Sequence, residues 1–366
     1  MTDSDHTALQ ELFTDLVTIN APSGAEEPVA DFIRQRLDGL PVRITEDDAG
    51  EKVDSNSGNL ICEFGDGGEL VLLAHMDTAS PTEGLEPQVL EDRITSAGNT
   101  ILGADNRAGV AVLITALEQA SQAPEQYLDF TVVFTVREEG GLEGSKCLSL
   151  SPRIKMGYAF DSSLRPGNFI ADTYGAQRFT VKVRGRAAHS AINPEHGIHA
   201  IHVAASAMSR IPMGRVQEEL LVNIGTVVGG SAVNIVPAEV EARGEVRGIH
   251  PDQVDAQIRG IEKEFQTAAD DEGAEVDFQA KWDFEPYHID PGEDAYQRLA
   301  AAIQGAGLEP VPCTTAGGSD ANSLNSKGIR AMNVGIGAQK CHSNEEFILI
   351  EDLLAAQRIA LQLLKK

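Results

Sequence analysis

The chain has 366 residues and a formal net charge of −27 at pH 7, because 56 Asp and Glu outnumber 29 Lys and Arg. One hydrophobic core rarely serves a chain of this length, so we expect two domains. The acidity argues against nucleic acid or an anionic membrane as a partner, since neither attracts a polyanion. Simple solubility explains such a surface, and adaptation to salt is the alternative.

The cysteines indicate a reducing compartment. Cys62, Cys147, Cys313 and Cys341 are irregularly spaced and include no C-x-x-C pair, so we expect free thiols rather than a disulfide framework. The N-terminal residues show neither the basic nor the apolar segment of a signal peptide, and no apolar run reaches membrane-spanning length. We therefore expect a cytoplasmic protein.

The first part of the chain alternates helical and strand patterns. Helical periodicity covers residues 7–20, 23–37 and 108–120, and apolar strand patterns cover residues 59–64, 69–77, 129–136 and 155–163. Continuously apolar strands are typical of a largely parallel sheet flanked by helices. Ser23 and Glu26 have capping-box spacing, which predicts that the second helix opens at Ser23.

A different pattern begins near residue 175. Apolar and polar residues alternate in 179–185, 220–227 and 240–248, and helical stretches lie at 197–211 and 251–271. Such alternation indicates an antiparallel sheet with one solvated face, here in a ferredoxin-like order. The first pattern then returns, with helix 293–305, strand 330–337 and helix 351–365. We therefore predict a discontinuous α/β domain of residues 1–175 and 286–366, with an α+β domain of residues 176–285 inserted in it.

The segment VLLAHMDT is the most informative feature of the chain. His75 and Asp77 end an apolar strand, and residues two apart in a strand point to the same side. In open α/β sheets, ligands bind at the carboxyl ends of the strands. A His-x-Asp pair by itself is more often a hydrogen-bonded polar pair than a metal site, so its interpretation depends on other segments.

Four further segments place carboxylates or a histidine at strand ends or at a helix entry. These residues are Asp105 in GADNRAG, Glu138 and Glu139 in REEGG, Asp161 in AFDSS and His342 in KCHSNEEF. A helix N-cap is the alternative for Asp105, and a solvated turn is the alternative for the adjacent glutamates. Charges at the end of an apolar strand are costly unless a cation lies between them.

Imidazole with carboxylate ligands favours Zn, Mn or Co over Ca or Mg. One carboxylate can bridge two ions about 3.5–4 Å apart, as in hydrolytic two-metal sites. Of two adjacent glutamates, one can bind metal while the other stays free as a base. The pattern therefore predicts a hydrolytic site with two divalent ions.

The set of motifs resembles the M20 family of dinuclear metallopeptidases, and within it the peptidase T-like group. The matching segments run from residue 75 to 347 and are AHMDT, GADNRAG, REEGG, AFDSS, RGRAAHSAINPEHG, NIVPAEVEARGEVRG, GGSDAN and CHSNEEF. The resemblance implies a zinc-peptidase-like catalytic domain and an inserted lid that forms a homodimer.

The resemblance also implies a role for each residue of the cluster. His75 would bind one metal ion and His342 the other, and Asp105 would bridge them. Glu139 would complete one site and Asp161 the other, while Asp77 would orient His75 and Glu138 would be the general base. The family has a cis peptide after the bridging residue, so we expect one between Asp105 and Asn106, where many relatives carry a second acid.

The lid would supply the groups that bind substrate. His189 matches a family histidine that reaches the substrate carbonyl, usually from the partner subunit, and Asn234 matches a residue that helps to hold the oxyanion. Arg247 resembles an arginine that grips a substrate carboxylate, with a solvated strand residue as its alternative. Gly317 and Gly318 would let backbone N–H groups approach a ligand.

The predicted function is metal-dependent hydrolysis of an amide bond in short peptides, with aminopeptidase action of the tripeptidase type as the first choice. Carboxypeptidase or N-acyl amino acid deacylase activity is the alternative within the family. An inactive relative that binds metal or peptide is the alternative outside catalysis, and an acidic scaffold would bind no stoichiometric metal.

Overall fold

The computed structural model describes residues 3–366 of the chain, which form two compact units. The first unit comprises the chain up to Asp172 together with His288–Thr315 and Ser319–Lys366. The second comprises Thr173–Tyr287 and Ala316–Gly318. The lid and dimer roles predicted for residues 176–285 remain predictions.

The helices and strands below are numbered in chain order. The α-helices of the described chain are α1 (Asp3–Val17), α2 (Glu27–Leu37), α3 (Ala49–Val53), α4 (Ala104–Gln122), α5 (Glu143–Cys147), α6 (Ala200–Met208), α7 (Pro251–Glu272), α8 (Asp294–Gly305), α9 (Asp320–Ser326) and α10 (Ile350–Leu364). The strands are β1 (Val42–Glu46), β2 (Leu60–Phe64), β3 (Leu70–His75), β4 (Pro87–Val89), β5 (Arg93–Ser96), β6 (Phe130–Thr135), β7 (Met156–Ser162), β8 (Asn168–Thr173), β9 (Gly175–Arg184), β10 (Gly214–Gln217), β11 (Leu220–Gly229), β12 (Glu239–Gly248), β13 (Glu275–Phe284), β14 (Val311–Thr315), β15 (Arg330–Gly335), β16 (Ala338–Gln339) and β17 (Phe347–Leu349).

The main sheet of the first unit has eight strands in the order β1-β2-β6-β3-β7-β15-β8-β14. Its four central strands, β6, β3, β7 and β15, are parallel to one another. Antiparallel pairs flank them, with β2 beside β6 and β8 beside β15. Every residue of β3 and β6 is buried, as expected for strands covered on both faces. This mixed, largely parallel sheet flanked by helices confirms the predicted fold class.

Helix α4 packs directly against the centre of this sheet. Its first turns are almost entirely buried and rich in Ala and Gly. A Cβ at Gly109 would lie 2.2 Å from the backbone oxygen of Phe160 in β7. Only glycine therefore allows the helix to approach the sheet this closely, and this approach fixes the helix entry that carries Asp105.

A smaller sheet of the first unit positions His342. Its four strands have the order β16-β17-β5-β4. Strands β16 and β17 are antiparallel and form a hairpin, with Gln339 opposite Phe347. The loop between them contains His342, whose φ of 62° lies in the left-handed region.

The second unit is an antiparallel sheet with two helices. The strand order is β10-β11-β12-β9-β13, and α6 and α7 pack against β9 and β12. The succession β9, α6, β11, β12, α7, β13 is a ferredoxin-like βαββαβ unit, with short β10 added beside β11. Its core contains the inward-facing residues of the strands and the apolar faces of both helices, among them Val181, Val246 and Phe265.

The predicted capping box at Ser23 is wrong. Helix α2 begins at Glu27, and Pro28 lies in its first turn. A helix opening at Ser23 would place Pro28 in its interior, where proline removes a hydrogen bond and clashes with the preceding turn. The Ser23 hydroxyl instead donates to the carboxylate of Asp77.

Candidate metal centre

The parallel strands bring the predicted site residues to one edge of the main sheet. His75 is the last residue of β3, and Asp161 is the penultimate residue of β7. Glu138 and Glu139 follow β6, which pairs with β3 on the other side. The carboxyl ends of adjacent parallel strands meet at the same edge, which is why these separated segments converge.

His75 has a defined tautomer when its ring is neutral. Its Nδ1 lies 3.0 Å from the backbone oxygen of Asp77 and 3.4 Å from the Asp77 carboxylate. Both are acceptors, so Nδ1 carries the proton and leaves a lone pair on Nε2. The predicted orienting partner thus contacts the ring through its main chain as well as its side chain.

The surroundings of His75 Nε2 fit a bound cation. Oδ1 of Asp105 lies 3.1 Å from this nitrogen, and Oδ1 of Asp161 lies 3.2 Å from it. Three lone-pair atoms at these separations repel one another unless a proton or metal ion lies between them. Donors about 2.0–2.2 Å from a tetrahedral zinc ion lie roughly 3.3–3.6 Å apart. The donor set therefore matches a divalent transition metal.

A second donor set shares Asp105 with the first. Nε2 of His342 lies 2.9 Å from Oε1 of Glu139 and 3.5 Å from Oδ2 of Asp105. The two oxygens of Asp105 thus face different histidines, as a bridging carboxylate requires. A link between the two sets is also visible, since His75, Asp105 and Glu139 each offer one potential ligand atom and these three atoms lie within 4.8 Å of one another.

The carboxylates of the two donor sets raise the pKa values of both histidines. Burial alone would lower the pKa of His75, yet hydrogen bonds to Asp105 and Asp161 raise it well above its ordinary value. Hydrogen bonds to Asp105 and Glu139 raise the pKa of His342 to about 10. The cluster therefore favours positive charge at both histidines, and a divalent ion satisfies the same demand.

Glu138 has the environment of a proton acceptor. Burial raises its pKa well above the ordinary value, and the charges of Asp161, Asp320 and Glu139 raise it further, although His75 opposes the rise. A nearby divalent cation would offset part of this rise. The position of its main chain is fixed, since its backbone N–H donates to Oδ1 of Asp77 at 3.0 Å.

Asp105 is not the N-cap of α4, because that position is occupied by Gly103. The peptide bond between Asp105 and Asn106 is cis, as the resemblance implies. Buried Glu346 accepts the backbone N–H of Gly103 at 2.7 Å and that of Asp105 at 3.0 Å. Burial raises the pKa of Glu346 to about 7. This residue ties Asp105 to the hairpin that carries His342.

Sequence reasoning assigned no role in the site to three acids that are buried beside it, namely Glu26, Asp320 and Glu346. Asp320 accepts a hydrogen bond from Thr135, at the end of β6. Glu26 accepts the backbone N–H of Arg137, next to the adjacent glutamates. Asp320 and Glu346 stand inside the motifs GGSDAN and CHSNEEF, so position within those motifs was the available signal.

In the second unit, the chain pairs the segments that carry His189 and Asn234. The backbone N–H of Ser190 donates to the oxygen of Asn234 at 3.0 Å, and His189 is bridged to Ile235. Both His189 and Asn234 are exposed. The Nδ1 atom of His189 accepts the backbone N–H of Ala191 at 3.2 Å, which leaves its Nε2 as the proton-bearing nitrogen of the neutral ring.

Arg247 is engaged within the second unit. Its Nε and Nη2 lie 3.0 and 3.2 Å from the carboxylate of Glu245, and its Nη1 donates to the backbone oxygen of Ala316 at 2.8 Å. A Cβ at Gly318 would meet the Phe284 ring at 2.8 Å. A larger residue at position 318 would displace the Phe284 ring, so packing favours glycine there independently of any ligand, whereas Gly317 is exposed.

Comparison with known proteins identifies the family. The model of peptidase family M20/M25/M40 matches residues 71–366. YqjE of Bacillus subtilis is 30% identical over 98% of both chains. The crystal structure of a tripeptidase from Staphylococcus aureus has a TM-score of 0.91 at 30% identity, and that of aminopeptidase PepT from Bacillus cereus has 0.89 at 29% identity, each covering 98% of both chains. The chain belongs to peptidase family M20/M25/M40.

These matches confirm the predicted class. The protein is a peptide-bond hydrolase of the M20 family and resembles its peptidase T group, and hydrolysis in this group is metal-dependent. The individual roles of the site residues remain predictions. Within residues 3–366, no helix is both long and apolar enough to cross a membrane.

Proposed function

We propose that the protein removes the N-terminal residue from short peptides, as a tripeptidase-type aminopeptidase with two divalent metal ions, zinc first among them. The observation that carries this proposal is the pair of donor sets around Asp105. Nε2 of His75 lies beside one of its oxygens and beside Asp161, whereas Nε2 of His342 lies beside the other oxygen and beside Glu139. Two histidines with three carboxylates suit Zn, Mn or Co better than Ca or Mg.

When bound, the two ions would acidify a water molecule and polarise the scissile carbonyl. Glu138 would accept the proton of that water at its carboxylate and later deliver it to the leaving amine. Its raised pKa makes its carboxylate a stronger proton acceptor than that of an ordinary glutamate. Asp77 would keep the imidazole of His75 and the backbone of Glu138 in place.

His189 and Asn234 would donate hydrogen bonds to the carbonyl oxygen as negative charge develops on it. The pairing of their two loop segments supports this, since it holds the two residues next to each other. Arg247 would bind a substrate carboxylate with its planar guanidinium, exchanging its contact with Glu245 for the ligand. Gly317 and Gly318 would present backbone N–H groups to the peptide.

We also propose a homodimer built through the second unit. The part of β11 after Val222 pairs with β12, while β10 reaches only residues 220–222. An unpaired strand edge is a template for another chain. Val227, Val228 and Val233 are 50, 72 and 103% exposed in this region. A second copy would cover this apolar surface and the free edge together.

The cysteines, which form no disulfide within the described residues, support a cytoplasmic location.

One panel of substrates tests the activity. Tripeptides with a free N-terminus, the same peptides with an acetylated N-terminus or an amidated C-terminus, and N-acyl amino acids would be assayed with Zn, Mn and Co. Aminopeptidase action predicts cleavage that requires the free amine and releases the N-terminal residue. Release of the C-terminal residue, or cleavage of the acyl amino acid alone, would instead establish carboxypeptidase or deacylase activity.

A further inference from the structure

Three successive backbone N–H groups after β6 donate to two buried carboxylates. The N–H of Arg137 donates to Oε1 of Glu26 at 3.0 Å. The N–H groups of Glu138 and Glu139 donate to the two oxygens of Asp77 at 3.0 and 3.2 Å. Successive N–H groups in a turn form a concavity that binds anions. Here that concavity is filled by carboxylates of the protein itself.

The turn depends on an unusual backbone conformation at Arg137. Its φ of 51° lies in the left-handed region, which is unfavourable for a residue other than glycine. This residue reverses the chain as it leaves β6, so its conformation sets the direction of Glu138 and Glu139. The N–H of Arg137 donates to Glu26 and its side chain pairs with Glu143, so both contacts help to hold this conformation.

The Glu26 carboxylate accepts three hydrogen bonds from groups of the protein. It is fully buried, and its Oε1 also accepts the N–H of Gly24 at 2.8 Å. Its Oε2 accepts the hydroxyl of Ser55 at 2.5 Å. The same loop reaches Asp77, because the Ser23 hydroxyl donates to the Asp77 carboxylate. The loop before α2 therefore holds both acceptors of the turn at residues 137–139.

A buried arginine compensates the charge of the two carboxylates. Arg107, in the first turns of α4, is fully buried, and its Nη2 lies 3.4 and 3.5 Å from the backbone oxygens of Ile19 and Ala21. Burial lowers the pKa of Arg107 to about 10, while Asp77 and Glu26 act in the opposite direction. Arg107 is thus a buried cation whose charge interacts favourably with both carboxylates.

We propose that Glu26 is a positioning residue for the turn at residues 137–139. It would hold this turn so that Glu138 faces the attacking water and Glu139 faces the metal ion that it would bind. This inference rests on the proposed function and deepens it. Glu26 itself touches neither substrate nor metal and acts through the N–H of Arg137. Partners of this kind typically alter metal affinity or activity 10–100-fold when they are removed.

Three substitutions at Glu26 distinguish the effect of its hydrogen bonds and of its side-chain length from a general loss of stability. Glu26→Gln can keep every contact, with its oxygen toward the two N–H groups and its nitrogen toward the Ser55 hydroxyl. Glu26→Asp keeps the charge but withdraws the acceptor by about one C–C bond, roughly 1.5 Å. Glu26→Ala removes it. Glu27→Ala is the matched control, because Glu27 is the next residue in the chain, carries the same side chain and is exposed at the start of α2.

We expect Glu26→Gln and Glu27→Ala to keep kcat within about threefold of the unaltered protein, measured with saturating metal well below each Tm. Glu26→Asp and Glu26→Ala should lower kcat about 10–100-fold with little change in KM, and should weaken zinc binding measured by calorimetry by a similar factor. If both variants keep the kcat and zinc affinity of Glu26→Gln and lose only stability, Glu26 has a structural role and the inference is wrong.

Failure of the proposed function gives a different result. In that case the unaltered protein itself would cleave none of the peptides in the panel, while zinc calorimetry would still compare the Glu26 variants with one another. An unchanged zinc affinity in Glu26→Asp would then show that Glu26 does not position Glu139. Glu26→Asp serves this purpose even if the alanine variant fails to fold, because it retains a buried carboxylate near Arg107.

Discussion

The two units differ in how far they bury their candidate functional residues. In the first unit, the side chains of His75, Asp105 and Glu139 are 2, 16 and 12% exposed, and His342, on the hairpin between β16 and β17, is the exception at 52%. Each is held by hydrogen bonds from elements far apart in the sequence. In the second unit, His189 and Asn234 are exposed, and neighbouring segments alone fix their positions.

This difference matches the demands that each group would meet in the reaction. Metal ligands must keep their geometry to within about 0.5 Å, so they need rigid strands and supporting hydrogen bonds. A donor to the substrate carbonyl acts only while substrate is present, and exposure leaves it accessible. The following predictions test whether the buried cluster carries the chemistry and whether the exposed residues contribute to it.

The largest effect should come from the shared carboxylate. Asp105→Asn removes one charge from both donor sets, so we expect loss of bound zinc from two ions per chain to one or none, together with loss of detectable peptidase activity. Elemental analysis of the purified protein after dialysis measures the zinc. Asp66→Asn makes the same change at an exposed residue paired with Arg153 and should keep both ions. Full zinc content in Asp105→Asn would exclude a bridging role.

The next effect concerns the base. Glu138→Gln keeps size and polarity but cannot accept the proton, so kcat should fall by more than the roughly 10²–10⁴ of general-base catalysis, while zinc content stays at two. Glu69→Gln is the control, since Glu69 is an exposed partner of Lys155 before β3. If Glu138→Gln retains more than about a tenth of the rate, a loss under roughly 1.4 kcal/mol, then another group is the base.

The same comparison explains what could be predicted from the sequence. Apolar strands ending in His75, Asp161 or the adjacent glutamates are recognisable because burial imposes a continuous apolar pattern and the parallel arrangement aligns their ends. Alternation likewise predicted the strands of the second unit. Periodicity was therefore sufficient to predict most of the fold class and the residues that meet at the ends of the strands.

Supporting residues were not predictable in this way. Glu26 follows a turn and precedes a helix, where acids commonly serve as caps, and only its tertiary contact with Arg137 reveals another role. Glu346 lies next to Glu345, which is exposed, so sequence alone does not tell which one is buried. The pairing of Arg247 with Glu245 two residues away on β12 follows from side-chain reach, which no pattern encodes.

A smaller effect is expected from the second unit. His189→Ala should lower kcat about 10²–10³-fold, the range for one lost donor to an oxyanion, without changing zinc content. His196→Ala is the control, since His196 is exposed on the same stretch of chain. An unchanged kcat would remove His189 from the reaction.

The homodimer proposal can be tested with the same variant. Inactive His189→Ala and Glu138→Gln proteins would be mixed and allowed to exchange subunits. If His189 acts in the partner's site, about half of the dimers are mixed and about a quarter of all sites regain activity under random pairing. Labelled subunits would show that exchange has occurred. Proven exchange without recovered activity would mean that each chain uses its own His189.

The smallest effect should be seen at Arg247, where binding and structure compete for one guanidinium. Its contacts with Glu245 and the Ala316 backbone already use three of its nitrogens. A substrate carboxylate would replace the ion pair with Glu245, so the binding free energy would be only the difference between the two ion pairs. Arg247→Lys should therefore raise KM about 3–10-fold, roughly 0.7–1.4 kcal/mol, for a tripeptide with a free C-terminus. It should leave KM unchanged for the same peptide with a C-terminal amide. Arg243→Lys, on the same strand and paired with Glu241, should change neither. An equal rise for both peptides would assign Arg247 to holding the segment at residues 316–318 rather than to binding a carboxylate.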